Sequence, residues 1–527
     1  MIRCIAVLMI AALVCSSSAA AEEITTEALL DSLQHTAFDF FWNEANPSNG
    51  LIKDRSTELS PCSIASVGFG LTAICIGIDK GYVAREEGRD RVQTTLETFW
   101  NAPQGSGSSG FTGYKGLFYH FLDMSTGERV WDSELSTIDT ALLLAGIFDA
   151  KQYFTEDDPV EDDIRALADS ITQRADWDFM RNGGPGIRMG WKPGTGFSGF
   201  GIWTGYNEAM IMYLIALGSP THPVPEIDWS VWTSSYNWAT HYGYTYVTFP
   251  PLFGHQYSHC WIDFSNIQDA YMQAKGITYS INSERATRAQ QAYCIDNPFG
   301  RIGYSEILWG LTASDGPDGY AVHGAPPPVN DDGTITPTAP ASSIPFAPDI
   351  VIPTLHNFYE TYGHMLWDVY GFKDAFNLDR GWWDTDYIGI DQGPIIIMIE
   401  NYLTGSVWNR FMQNPDIQLG LERAGFTTPS SVEDVRFDGT PRLVLFQNGP
   451  NPFRGASTIS YRLPASGHVS LLLYDVQGRL VRTLVDGVQP AGQHQVTLPG
   501  NGLPSGVYYY NLESNRQKVG KRCIVIM

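Results

Sequence analysis

The chain has 527 residues, with 57 Asp and Glu against 33 Lys and Arg, and therefore a net charge of −24 at pH 7. This length exceeds what one hydrophobic core usually organises, so at least two domains are expected. The negative charge repels phosphate backbones and anionic lipid surfaces, so we do not expect nucleic acid as a partner.

Residues 1–21 have the three parts of a secretory signal peptide. Arg3 supplies the positive end, residues 5–14 the apolar stretch, and residues 19–21 a small-residue cleavage site. Cys15 raises the alternative of a lipoprotein, but Val14 is larger than the residue that usually precedes a lipidated cysteine. We therefore expect export without a lipid anchor, and no later stretch predicts a membrane span.

The cysteines that remain after this segment are few and scattered, so at most two disulfides can form and no disulfide framework is expected. They are Cys62, Cys75, Cys260, Cys294 and Cys523.

Residues 22–426 alternate amphipathic segments with loops rich in Gly, Pro and aromatic residues. Twelve segments have helical apolar spacing: 24–43, 63–82, 85–101, 137–154, 160–180, 206–217, 265–275, 283–296, 348–360, 362–375, 391–404 and 407–413. Residues 316–348 are rich in Pro, Gly, Asp and Thr and are predicted to form one long loop. Periodicity alone predicts a large all-α domain.

The pattern changes after residue 426. Residues 427–442 form a polar linker, and residues 443–527 contain short runs with the alternation of β-strands. The predicted strands are 443–446, 458–462, 468–474, 480–485, 494–498, 506–512 and 520–527, with turn signals such as Asn448-Gly449 between them. Seven short strands at this spacing predict a small β-sandwich.

Aromatic and acidic motifs recur in a fixed order along the helical region. They are residues 38–42 (FDFFW), 53–55 (KDR), 116–123 (GLFYHFLD), Glu134 with 136–142 (STIDTAL), 202–210 (IWTGYNEAM), 257–263 (YSHCWID) and 391–394 (DQGP). This set resembles the glucoamylase-like family of bacterial enzymes, which includes endo-β-1,2-glucanases. The resemblance covers residues 22–426 and implies an (α/α)6 toroid, with six inner helices wrapped by six outer ones. It also implies a glycoside hydrolase acting on a β-glucan, with β-1,2-glucan as the leading substrate.

Glu208 is the expected general acid. Glycoside hydrolysis requires one acid to protonate the leaving oxygen and usually a second carboxylate to activate water or attack the sugar. Glu208 lies beside Trp203 and Tyr206 at the start of an apolar segment, where aromatic surroundings should raise its pKa. The structural alternative is that Glu208 only complements a helix N-terminus.

Asp139 is the expected general base or water-positioning residue, with Glu134 in support. Asp139 follows Ser136 by three residues, so the two could equally form a capping-box-like pair at a helix start. The alternative for Glu134 is a solvated loop residue. Sequence cannot distinguish inversion from retention, because the separation of the carboxyls in space decides it.

Other polar and aromatic residues of these motifs are expected to bind substrate, since they can bond sugar hydroxyls or stack on sugar rings. These are Asp54, Arg55, Tyr119, His120, Trp191, Trp203, Tyr206, His259, Trp382, Trp383 and Asp391. Glu400 follows an apolar run and is expected to be a buried structural partner.

No metal or other cofactor is expected. His255 and His259 have the i,i+4 spacing of a metal pair, but Pro250-Pro251 and Gly254 predict a loop there. The Gly- and Ser-rich residues 105–110 lack the Lys of a phosphate loop, which argues against a nucleotide.

The C-terminal region resembles the type A sorting domain of type IX secretion, which has an immunoglobulin-like fold. The matching segments are 448–453, 474–479, 491–492, 503–509 and 518–521. The resemblance implies the type IX machinery as a partner, and a location outside the cell or on its surface, reached through the periplasm. The alternative is a carbohydrate-binding β-sandwich.

Three rivals to a β-glucan hydrolase remain open. A transglycosylase or a hydrolase of another glucan would use the same carboxylates. A non-catalytic glycan-binding protein would keep Trp203, Trp382 and Trp383 but would not need Glu208.

Overall fold

The computed structural model describes residues 24–428 and, apart from 446–447, 449–450, 452, 464–465, 476, 491 and 515–516, residues 444–526. The chain divides into two compact units, one ending at Thr428 and the other beginning at Pro429. The predicted signal peptide and residues 429–442 of the predicted linker lie outside the described residues.

The first unit is mainly helical, as predicted. Its α-helices are α1 Thr26–Asn43, α2 Ile64–Lys80, α3 Arg85–Asn101, α4 Thr137–Tyr153, α5 Pro159–Gln173, α6 Met210–Gly218, α7 Ile227–Thr233, α8 Ala270–Lys275, α9 Tyr279–Asp296, α10 Thr338–Ala341, α11 Pro348–Leu366, α12 Gly389–Leu403, α13 Ser406–Phe411 and α14 Pro415–Arg423. Short 3₁₀ helices span Phe179–Arg181, Leu252–His255 and Tyr257–Cys260. In the described residues, no helix is long and apolar enough to cross a bilayer.

Polar residues at their N-termini explain where several helices begin. Ser63 before α2 accepts the Ser66 N–H, and Ser136 before α4 accepts the Asp139 N–H. Such caps satisfy backbone donors that a helix start leaves free. Gly81 ends α2 with a φ of 75°, a conformation that favours glycine.

Helices α2, α4, α6 and α12 are buried on nearly all sides, whereas α5 buries one face through Ile164, Ala168 and Ile171. The four buried helices are therefore surrounded by other parts of the protein, whereas α5 lies at the surface. The α2 and α4 backbones touch, since a Cβ added at Gly68 would lie 2.1 Å from the Leu142 carbonyl oxygen.

Short paired strands lie in the loops between helices. The two-stranded pairs are Cys62–Ser63 with Phe121–Leu122, Gly113–Tyr114 with Leu117–Phe118, Leu135–Ser136 with Gly190–Trp191, Trp238–His241 with Tyr244–Val247, Ala313–Ser314 with Ala321–Val322, and Trp367–Asp368 with Gly371–Phe372. Phe376–Asn377 pairs with both Thr334–Ile335 and Trp382–Trp383.

Two local predictions were wrong. The segment 362–375 is not a separate helix, because α11 runs on to Leu366 and a hairpin with Gly371 at its turn follows. The segment 316–348 is not one loop, because it contains paired strands and α10, and residues 334–344 are buried. Small residues and prolines pack there without the periodicity that predicts an element.

The described residues of the second unit contain the seven strands predicted from sequence. They are β1 Val444–Leu445, β2 Ala456–Leu463, β3 Gly467–Asp475, β4 Leu480–Gln489, β5 Gly492–Pro499, β6 Gly506–Ser514 and β7 Gln517–Val525. One antiparallel sheet has the order β1-β2-β5 and the other β4-β3-β6-β7. Tyr508, Tyr510 and Leu512 alternate into the core along β6, as expected for a strand with one buried face.

Candidate active site

Three carboxyls lie at the N-terminal ends of the most buried helices. Asp139 is the third residue of α4, Asp391 is the third residue of α12, and Glu208 lies two residues before α6. Asp139 interacts electrostatically with Glu208 and Asp54, and Asp54 with Asp391. The fold therefore brings together, in one acid cluster, residues that are up to 337 positions apart in sequence (Asp54 and Asp391).

Glu208 has the property expected of a general acid near neutral pH. Burial raises its pKa to about 7, with a small further contribution from Asp139, against a hydrogen bond from its own backbone N–H. Ser258 Oγ donates to the Glu208 carbonyl oxygen at 3.1 Å and accepts the Ile211 N–H at 3.0 Å. These bonds hold the Glu208 turn against the 3₁₀ helix Tyr257–Cys260.

His120 is a cation held between two carboxylates. Its Nδ1 lies 3.0 Å from Glu134 Oε1 and its Nε2 lies 3.6 Å from Asp139 Oδ2. Burial alone would lower the His120 pKa, but Asp139, Glu134 and Asp54 together raise it to about 9. The same hydrogen bond lowers the pKa of Glu134. The His120 imidazolium therefore lies between Glu134 and Asp139 and favours the ionised form of Glu134.

Asp139 forms the capping pair with Ser136 that was considered from sequence, and it also lies beside His120. Ser136 Oγ lies 2.5 Å from Asp139 Oδ2 and accepts the Asp139 N–H at 3.2 Å. The pair caps α4, and the same contact orients the Asp139 carboxylate beside His120.

Arg55 ties several acids together from the other side of the site. Its guanidinium lies 2.8 Å from Asp315, 3.4 Å from Asp54 and 3.5 Å from Asp386. These carboxylates raise the pKa of Arg55, although burial opposes them. Burial raises the pKa of Asp54, while Arg55 and His120 lower it.

Asp374 and Asp391 form a carboxyl pair. The buried oxygens Asp374 Oδ1 and Asp391 Oδ2 have no other partner among the described residues, and the two side chains are in hydrogen-bonding contact. Burial raises the pKa of both, and the contact between them raises the pKa of Asp374 further but lowers that of Asp391, so Asp374 holds its proton more strongly. Asp374 Oδ2 also accepts the Asp315 N–H at 2.8 Å.

Sequence reasoning missed Asp315, Asp374 and Asp384. Asp384 directly follows the Trp382-Trp383 pair, and this position could have marked it as a candidate site residue. Burial raises the pKa of Asp384 to about 6. Asp374 lies within a segment predicted to be helical, so no local pattern marked it.

Two groups of side chains in the described chain have ligand atoms within 4.8 Å of one another, as a metal site requires: His120 with Glu134 and Asp139, and Asp315 with Asp374 and Asp384. The first group contains the His120 cation, and the Arg55 guanidinium already contacts Asp315 in the second. Protein cations therefore balance part of the carboxylate charge in both groups.

The predicted tryptophans are half-buried. Trp203 Nε1 donates to Thr137 Oγ1 at 3.0 Å, beside the start of α4. Trp191 lies opposite Leu135 in a strand pair, and Leu135 lies between Glu134 and Ser136 in the chain. Trp382 precedes Trp383, whose ring stacks on Phe376 with centroids 5.1 Å apart.

Three residues predicted to bind substrate lie instead in the core. Tyr119 and His259 are almost completely buried, and Tyr206 is 4% exposed. His259 Nε2 lies 3.2 Å from Ser283 Oγ, and Tyr206 packs near His255 and Tyr279. The contacts that the structure gives these three side chains are packing and hydrogen bonds within the protein, and their contact with a sugar stays a prediction.

Glu400 is the structural partner that was expected. It accepts from Gln34 and Thr404 and pairs with Lys80 at 3.1 Å. His255 Nε2 lies 3.1 Å from the Phe249 carbonyl oxygen. All five cysteines of the described chain are free and buried.

Residues 202–415 match the family model described as “Putative glucoamylase”. A solved structure described in the same words, from Bacteroides uniformis ATCC 8492, is 37% identical, with a TM-score of 0.72 over 78% of this chain and 99% of that chain. The endo-beta-1,2-glucanase from Chitinophaga pinensis, solved with sophorotriose and glucose, is 29% identical, with a TM-score of 0.71 over 77% of this chain and 99% of that chain.

A further relative is the exo beta-1,2-glucooligosaccharide sophorohydrolase (non-reducing end) of Parabacteroides distasonis. It is 32% identical over 439 residues, which are 77% of this chain and 59% of that protein. This chain thus spans less than two thirds of the length of that curated relative.

Residues 450–526 match the family model described as “Secretion system C-terminal sorting domain”, which directs the protein to the cell surface or the exterior. The B. uniformis structure is similar along almost its whole length to this chain, at 37% identity. The acid cluster lies within the matched helical unit. The chain belongs to the family of bacterial glucoamylase-like proteins.

Proposed function

We propose that this protein is a secreted glycoside hydrolase that cleaves β-1,2-glucan. The observation that carries the proposal is Glu208, a half-buried carboxyl with a pKa of about 7, in the same cluster as Asp139, which contacts the His120 cation. An acid and a carboxylate held in one site are what glycoside hydrolysis requires. Two of the relatives described above act on β-1,2-linked glucan, which supports the linkage.

Glu208 donates the proton to the leaving oxygen, directly or through a sugar hydroxyl. The raised pKa of Glu208 keeps the carboxyl protonated up to neutral pH. Burial disfavours the ionised form that remains after the proton has left.

The base that activates water is one of two carboxyls. Asp139 is the residue expected from sequence, and its contacts with Ser136 and His120 orient it. Asp391 is the second candidate, because it lies in hydrogen-bonding contact with Asp374 and burial raises its pKa to about 7. A base works best when its pKa lies near the working pH.

Substrate is held by the polar and aromatic residues around the cluster. Asp54, Arg55 and His120 offer acceptors and donors to sugar hydroxyls, while Trp191, Trp203, Trp382 and Trp383 offer ring faces. The excess of carboxylates favours a neutral polymer over an anionic one.

The helical unit, residues 22–426, is an (α/α)6 toroid. Its inner ring is α2, α4, α6, Tyr257–Cys260, α10 and α12, of which α2 packs on both α4 and α12. A bond of 2.7 Å from Gln256 Nε2 to the Ala339 carbonyl oxygen links the 3₁₀ helix to α10 and supports ring closure.

Residues 427–442 are a linker, and residues 443–527 form an immunoglobulin-like sandwich that the type IX machinery recognises. The two antiparallel sheets and the sorting-domain match support this assignment. A carbohydrate-binding module is the competing role for the same strands.

A reducing-sugar assay of the purified protein on β-1,2-, β-1,3-, β-1,4- and α-1,4-glucans tests the function. We expect turnover of β-1,2-glucan, with analysis of the products by chromatography separating hydrolysis from transglycosylation. Binding without turnover would replace the proposal by a glycan-binding role, and preference for another glucan would replace the substrate.

A further inference from the structure

An unusual turn lies next to the acid cluster. The Ser133 N–H donates to the Val130 carbonyl oxygen at 3.1 Å, and the two central residues, Trp131 and Asp132, have φ angles of 59° and 53°. Positive φ at both central positions is the type I′ arrangement, which strongly favours Asn and Gly. A bulky indole in this conformation is strained.

Surrounding contacts hold the turn in place. Arg129 Nε donates to the Ser133 carbonyl oxygen at 2.6 Å, and Arg129 Nη2 lies 2.7 Å from Asp132 Oδ1. Lys192 Nζ contacts the other Asp132 oxygen at 3.3 Å. Strained backbone persists only where such contacts determine it, and it occurs most often at functional sites.

The turn presents the Trp131 side chain to solvent, with 69% of the residue exposed. The indole lies 5.2 Å from the ring of Phe121, and Phe121 stacks on His120 with centroids 3.8 Å apart. His120 in turn contacts Glu134 and Asp139. Only the Phe121 ring therefore lies between the exposed Trp131 and His120 of the acid cluster.

We propose that Trp131 is a stacking platform for a glucose ring in an outer subsite, beyond the two sugars joined by the bond that is cleaved. A strained turn that exposes an indole contributes little to folding, whereas a flat apolar face suits the C–H face of a pyranose. Such a subsite favours long chains over short ones. This inference rests on the proposed function.

Trp131→Asn tests the platform with little risk to folding, because Asn suits the turn. We expect an unchanged or higher melting temperature. For long β-1,2-glucan, KM should rise about three- to tenfold, the range of an aromatic contact of ~0.5–1.5 kcal/mol, with kcat near wild type. For the shortest oligosaccharide that the wild type cleaves, KM should not change. Trp131→Tyr, which keeps an aromatic ring, should raise KM for long β-1,2-glucan less than Trp131→Asn does.

Phe299→Ala is the matched control, since Phe299 is also exposed but contacts Arg301 rather than the acid cluster. It should leave KM unchanged for both substrates. If the wild type is active, two results would overturn the outer subsite. Either Trp131→Asn leaves KM unchanged, or it raises KM equally for short and long chains. A wild type that cleaves no β-glucan would instead overturn the proposed function.

Discussion

At the residue scale, Glu208 and His120 both hold a proton near neutral pH, for different physical reasons. Burial makes the charged form of Glu208 unfavourable, whereas neighbouring carboxylates make the charged form of His120 favourable. In the proposed mechanism, Glu208 gives up its proton during the reaction and His120 stays cationic. A carboxyl and an imidazole in one cluster therefore have separate tasks.

Glu208→Gln should reduce kcat by about 10² to 10⁴, because the amide keeps the shape but cannot donate the proton. Glucan binding, measured by calorimetry, should remain. Glu422→Gln, at an exposed position in α14, is the control and should have wild-type kcat. Near-native turnover by Glu208→Gln would remove Glu208 from the mechanism.

The same substitution should also change the pH dependence of stability. The pKa of Glu208 is higher in the folded chain than in the unfolded chain, so its ionisation destabilises the fold as pH rises from about 4.5 to about 7. Glu208→Gln lacks this penalty. The melting temperature of the variant should exceed that of the wild type at pH 8 and approach it at pH 4. An equal difference in melting temperature at the two pH values would contradict the raised pKa of Glu208.

Asp139→Asn and Asp391→Asn should separate the two candidate bases. Both should lower kcat, since both carboxyls belong to the cluster. Azide attacks without needing deprotonation, so it should restore turnover only in the variant that has lost the base. Rescue of Asp139→Asn would support the assignment expected from sequence, and rescue of Asp391→Asn would move the role to the Asp374–Asp391 pair.

At the element scale, the start of α4 links stability to the proposed catalytic role of Asp139. Ser136 caps the helix and also donates to Asp139, so one hydroxyl serves both the backbone and the site. Thr278 provides a matched cap at α9, where it accepts the Ile281 N–H at 3.3 Å.

Ser136→Ala and Thr278→Ala should each lower the free energy of unfolding by about 1 kcal/mol, the usual cost of a lost cap. Only Ser136→Ala should also lower kcat, because only it leaves Asp139 without its hydroxyl partner. Denaturant unfolding and steady-state kinetics on the same samples check both effects. An equal loss of kcat in the two variants would show that reduced stability, not Asp139, is responsible.

At the scale of the whole molecule, the two units should be separable in function. Each has its own hydrophobic core, and the acid cluster lies wholly within the first. A domain with its own core can fold independently.

A chain ending at Thr428 should keep the kcat and KM of the full protein but remain in the periplasm of a host with type IX secretion. Fusion of residues 429–527 to an unrelated passenger with a signal peptide should send that passenger out of the cell. Fractionation and immunoblotting measure both. Normal export of the truncated chain, with lost binding to insoluble glucan, would identify a carbohydrate-binding module instead.

The sequence by itself determined the order of the two units, most helices, the seven strands and the family. Each of these depends on local periodicity, caps or short motifs, which a linear pattern contains. Glu208 and Asp139 could be predicted as members of one site for the same reason, since both belong to motifs at helix starts, while their catalytic roles stay predictions.

Only the tertiary structure decided which residues meet. Asp374 and Asp391 form a carboxyl pair although no motif joins them, and Tyr119, Tyr206 and His259 are buried although their motifs pointed to the site. The strained Trp131 turn likewise depends on contacts with Arg129 and Lys192. The physical reason is that burial and neighbouring charges, which set pKa values and exposure, arise from long-range packing that local sequence does not specify.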